Sequence, residues 1–131
     1  MERVRERLDE AMQALSTLDK LVGLPQPTDV ERDAAIQRFE YSVEMAWKAA
    51  QAYVTDQGLL GPASPKSAIR ASFKAGLLDE KNAEGLMRAI DDRNLTVHTY
   101  REEFAIQLYK RLANHAALLR LWLVEIQKRV E

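Results

Sequence analysis

The stretch Leu108-Tyr109-Lys110-Arg111-Leu112-Ala113-Asn114-His115-Ala116-Ala117-Leu118-Leu119-Arg120-Leu121-Trp122-Leu123-Val124-Glu125-Ile126 decides the fold. Within it Leu108, Leu112, His115, Leu119, Trp122 and Ile126 recur at spacings of 4, 3, 4, 3 and 4. That period puts all six on one stripe of a long helix and favours shallow crossing against neighbouring helices. Phe104 extends the stripe backwards, and Thr99-x-x-Glu102 is a capping box that starts the helix.

Working outward, Val4, Leu8, Met12, Leu15, Leu18 and Val22 mark a first helix from about residue 2 to 22, which Gly23 stops before Pro25 and Pro27. A second capping box, Thr28-x-x-Glu31, opens a long helix striped by Ile36, Phe39, Val43, Ala46, Ala50 and Tyr53, with Trp47 widening the face, and Gln57-Gly58 closes it. Ser64-Pro65 starts a shorter helix running to about Gly76, because proline at the first helical position lacks only an N–H that has no helical partner anyway. Asp79 caps a fourth helix with the stripe Ala83, Met87, Ile90 and Val97, in which Asn94 is a polar interruption. The pattern predicts an all-α, antiparallel up-and-down four-helix bundle with a short additional helix and no strands.

A chain of 131 residues, 47% hydrophobic, is the size of one domain and buries roughly two-thirds of its unfolded surface. Lys+Arg 19 against Asp+Glu 20 leaves a formal charge of -1, so any polyanion must be held by a local patch. Zero cysteines exclude disulfides and thiolate metal sites. Without a signal-peptide pattern or membrane span the expected compartment is the cytoplasm. Two histidines far apart, without metal-ligand spacing, lead to the expectation of no metal and no cofactor.

The candidate chemistry lies in Asp91-Asp92-Arg93-Asn94-Leu95-Thr96-Val97-His98-Thr99-Tyr100. Arg93, three residues after Ile90, borders the buried seam and needs a partner. One reading is an ion pair with Asp91, Asp92, Glu40 or Glu44; the other is a bidentate clamp for a phosphate. His98 follows five residues later and on an unbroken helix would diverge from Arg93 by about 140°, so the two cooperate only if the helix breaks near Thr96 to Thr99. The β-branched residues there and the Thr99 cap supply that break. His98 is then either a junction residue or a general acid or base near neutral pH. Tyr100 can bond a phosphate or accept a modification. Lys66, Arg70 and Lys74, at i, i+4 and i+8, are a solvated face or a rail for RNA phosphates, and Asn94 joins them as a binding candidate. His115, among leucines, reads as a core or subunit-interface residue, and the apolar faces of Trp47 and Trp122 suit either setting.

Three blocks carry a family resemblance: Gln37-Arg38-Phe39-Glu40 with Glu44-Met45-Ala46-Trp47-Lys48; Ser64-Pro65 with Ile69-Arg70 and Phe73-Lys74-Ala75-Gly76-Leu77; and Asp92 to Tyr100, an R-x4-H-x-Y signature. In order and spacing they resemble HepT-like, nucleotidyltransferase substrate-binding proteins of the HEPN superfamily. The resemblance implies a single HEPN-like helical domain over residues 1–131, paired as a two-fold homodimer with its motifs facing one cleft. It further implies a partner, a minimal nucleotidyltransferase of the MntA type, in a toxin–antitoxin pair. In that scheme the HepT-like member is a metal-independent endoribonuclease, silenced when the partner transfers AMP to the motif tyrosine. Carried over, Arg93 and His98 are catalytic and Tyr100 is the AMP acceptor. The alternative is a non-catalytic substrate- or nucleotide-binding subunit of a two-component nucleotidyltransferase; a third is a structural helical dimer without ligand.

Overall fold

The computed structural model describes residues 1–96 and 101–130. Its helices are α1 (Glu2–Asp19), α2 (Asp29–Asp56), α3 (Pro65–Lys74), α4 (Glu80–Thr96) and α5 (Glu102–Val130). Among the described residues there is no strand, and no helix is long and apolar enough to cross a membrane. α2 and α5 form the central pair; α1 packs against both from one side and α4 from the other, while α3 bridges α2 and α4. This is the four-helix bundle with a short inserted helix. Fully buried alanines on α2, Ala35, Ala46, Ala49 and Ala50, let neighbouring backbones approach closely.

The helix starts follow their capping chemistry. Thr28 Oγ1 accepts from Glu31 N at 3.1 Å while Glu31 Oε1 accepts from Thr28 N at 2.9 Å, which satisfies two N–H groups that the first turn would otherwise leave bare. Ser64 does the same with Ser67, and Asp79 Oδ1 accepts from Asn82 N at 2.8 Å. The expected Thr99–Glu102 box involves a residue outside the described ones. Gly23 and Gly76 take φ of 71° and 80° at the ends of the turns after α1 and α3, a region costly for residues with a Cβ.

The whole stripe Leu108, Leu112, His115, Leu119, Trp122 and Ile126 is buried, and Trp122 Nε1 donates to Ser72 Oγ at 3.0 Å, tying α5 to α3. Two expectations need correction. α1 ends at Asp19, not near Val22, because a tighter turn takes over, in which Leu21 N bonds Leu18 O at 2.9 Å. α4 is rotated from the expected phase: its buried residues are Gly85, Leu86, Ala89 and Ile90, Ala83 and Met87 are half-buried, and Asn94 is exposed. Gly85 is the reason. A Cβ there would lie 2.6 Å from Leu118 Cδ1, so α4 meets α5 on its glycine and the seam continues through Leu86, Ala89 and Ile90 to Arg93.

Candidate functional site

Three turns of α2 carry Glu40, Glu44 and Lys48 at four-residue intervals on the side that meets α4. Two of these side chains receive the end of α4. Arg93 Nη2 reaches Glu44 Oε2 at 3.2 Å, and Thr96 Oγ1 donates to Glu40 Oε2 at 2.6 Å, close also to Arg93 O at 2.7 Å. Of the four acids considered as partners for Arg93, the fold selects Glu44.

Glu44 is a hub. Its Oε2 also accepts from Trp47 Nε1 at 2.9 Å and its Oε1 from Lys48 Nζ at 3.1 Å. Burial pushes this carboxyl up, but the Trp47 and Lys48 hydrogen bonds and the charges of Lys48 and Arg93 outweigh it and hold the pKa below its ordinary value. Glu44 therefore stays ionised at neutral pH.

Arg93 is not saturated by this. Its Nη1 makes only a long 3.4 Å contact to Asn94 Oδ1, its Nε is buried without a partner among the described residues, and its side chain is 25% exposed. A guanidinium has five donors, so this one retains capacity for an anion at the surface. His98 and Tyr100 lie outside the described residues; of the signature block, the structure places residues 92–96. Asn94, expected on the seam, is an exposed neighbour of Arg93. Lys66 pairs with Asp91 at 2.6 Å, while Arg70 and Lys74 flank apolar grooves beside Phe73, with Glu80 and Glu84 across one of them.

On the opposite side of α4, Asp92 accepts from Arg111 Nε and Nη2, both at 2.9 Å, and contacts His115 Nε2 at 2.7 Å. Burial raises the Asp92 pKa, but the hydrogen bonds and charges of Arg111 and His115 prevail and lower it. His115 is a core residue, 4% exposed and stacked on Phe39 with ring centroids 5.5 Å apart. Reading the sequence missed this cluster; the signal available was a histidine on a leucine seam, which needs a polar partner on the facing helix.

Residues 6–128 match the family model for nucleotidyltransferase substrate binding protein like domains. The chain belongs to this family. Its fold is that of the HEPN toxins of known structure. A protein of known structure from Thermus thermophilus is 46% identical over 88% of this chain and 98% of its own, with a TM-score of 0.84. The toxin–antitoxin pair MntA–HepT, in mutant form, matches at a TM-score of 0.81 with 14% identity over 98% of this chain and 99% of that one. A tri-AMPylated HEPN toxin of Shewanella oneidensis, in complex with MNT antitoxin, matches at 0.77 with 14% identity over 95% of this chain and 96% of that one. No protein of curated function matches the chain.

Proposed function

We propose that this family member is the toxin of a HepT/MntA-type pair, a metal-independent endoribonuclease. The observation that carries the reading is Arg93: a guanidinium on the buried seam, anchored by Glu44 yet part-exposed and with donors to spare, five residues before His98 in an R-x4-H-x-Y motif. In the proposed reaction His98 takes the proton of a ribose 2′-hydroxyl or gives one to the leaving 5′-oxygen. The 2′-oxygen bonds to phosphorus as the 5′-oxygen bond breaks, and Arg93 balances charge on the phosphoryl oxygens. Asn94 and the basic residues Lys66, Arg70 and Lys74 are proposed contacts to RNA or nucleotide.

Regulation follows the named neighbours, toxins bound to MntA or MNT antitoxins, one of them tri-AMPylated. A partner nucleotidyltransferase transfers AMP from ATP to the Tyr100 hydroxyl, the new O–P bond forming at the α-phosphorus as pyrophosphate leaves, which places a bulky anion two residues from His98. A two-fold homodimer, acting in the cytoplasm, brings two motifs to one groove; exposed Tyr41 and Leu95 offer apolar surface on the helices that carry Glu44 and Arg93.

The test is RNA cleavage by purified protein in chelator, compared with Arg93→Ala and His98→Ala; both variants should lose cleavage, and unchanged cutting by both would sink the assignment. The family description, which speaks of substrate binding, favours a second reading: a non-catalytic subunit of a two-component nucleotidyltransferase. Intact mass after co-expression with the partner separates the two. An AMP increment lost in Tyr100→Phe supports the toxin; no increment together with no RNA cleavage supports the subunit.

A further inference from the structure

A cleft of ≈ 470 Å³ lies between α1 and α2, lined on one wall by Arg3 and Arg7 and on the other by Lys48 and Thr55. Arg3 and Arg7, four residues apart, share one face of α1, and among the described residues neither has an ion-pair partner. Asp56 is the one acidic residue in the lining, and the Met1 ammonium faces it at 3.5 Å. In a chain of formal charge -1, Arg3 and Arg7, joined by a Lys48 that shares its charge with Glu44, form a local anion-attracting field.

The cleft is linked to the site through one residue. Lys48 lines it and also bonds Glu44 Oε1 at 3.1 Å, while Glu44 Oε2 holds Arg93 at 3.2 Å. From Glu44 to Thr55 the α2 axis advances about 16 Å at 1.5 Å per residue, a span that several nucleotides of a single strand can follow. The α3 stripe is less suited, since Glu80 and Glu84 stand across the groove from Arg70 and Lys74.

We infer that this cleft is a binding track for the phosphodiester chain of single-stranded RNA adjoining the cleaved bond, with Arg3, Arg7 and Lys48 contacting successive phosphates and Thr55 donating its hydroxyl. The inference rests on the ribonuclease reading. Each phosphate contact to a single strand contributes about 0.7 to the slope of log affinity against log salt.

The experiment titrates a long 2′-O-methylated RNA, which cannot be cleaved, across a salt series, and runs cleavage of the unmodified RNA in parallel. Arg3→Ala/Arg7→Ala should bind more weakly, with a salt slope smaller by about 1.4, two contacts at 0.7 each; Arg3→Lys/Arg7→Lys should recover most of it. Cleavage by the wild type with an unchanged slope in the double alanine variant overturns the track and leaves the ribonuclease standing. A wild type that neither binds nor cuts RNA overturns both.

Discussion

Asp92 and Arg93 are adjacent on α4, yet they serve opposite faces of it and end in different electrostatic states. Asp92 points to α5, where it is 13% exposed and meets a two-toothed Arg111 and a buried His115. Three contacts engage both of its oxygens. Arg93 points to α2, where one carboxylate, itself shared with Lys48 and Trp47, answers a guanidinium whose remaining donors are weakly engaged or without a partner among the described residues. The Asp92 cluster is a fastener between helices, because removing Asp92 strands the buried His115 in a poorly solvated place. At Arg93 the part-exposed Nη1 is only weakly engaged among the described residues, which leaves a donor of the kind that a site for an anion needs.

The sharpest way to break this contrast is to delete each side chain and compare activity with stability. Arg93→Ala should lower RNA cleavage by about a hundred- to a thousand-fold, the loss typical of removing one donor to a developing oxyanion. It should change stability by about 1 kcal/mol or less, as for a partly exposed ion pair. Asp92→Ala should do the reverse, costing about 2 kcal/mol through the unpaired, buried His115 and lowering the melting temperature by roughly 6–10 °C. Cleavage well below its melting point should stay within a few-fold. Calorimetry and a cleavage assay on the same preparations decide it: an Arg93→Ala protein that melts early and still cuts RNA would invert the roles.

A smaller effect concerns pH. The folded pKa of Asp92 lies below its ordinary value of 3.8, so the unfolded chain takes up protons first as pH falls. The stabilisation from this carboxylate is therefore complete above about pH 5, and is lost progressively as pH drops through 3.8 towards the folded value. Thermal melts of wild type and Asp92→Asn should converge below that range and separate above it; a constant gap would mean that the charge is irrelevant. Smallest is Lys66→Ala. Its pair with Asp91 is open to solvent, so chemical denaturation should register about 0.5 kcal/mol or less.

The bundle was legible because apolar spacing and capping chemistry are local. Thr28–Glu31, Ser64-Pro65, Asp79 and Gly76 mark helix ends through bonds made within a few residues, and the 4, 3, 4, 3, 4 run on α5 is buried throughout. The phase of α4 was not legible in the same way. Periodicity offered Ala83, Met87, Ile90 and Asn94, but the buried face is set by where Gly85 admits Leu118, a contact made with another helix. That rotation also moved Arg93 from the border of the seam onto it and put Asn94 outside.

The sequence by itself determined the helical class, most helix boundaries, the family motif with Arg93 as a residue in need of a partner, and His115 as a residue of the core or of a subunit interface. Tertiary structure alone decided that Glu44 and not its three competitors holds Arg93, that Asp92 gathers Arg111 and His115, and that Arg3 and Arg7 face Lys48 across a cleft. The physical reason is range. Caps and stripes depend on residues within a turn or two of one another, whereas each of these pairings joins side chains on different helices and exists only once the crossing of those helices has fixed which faces meet.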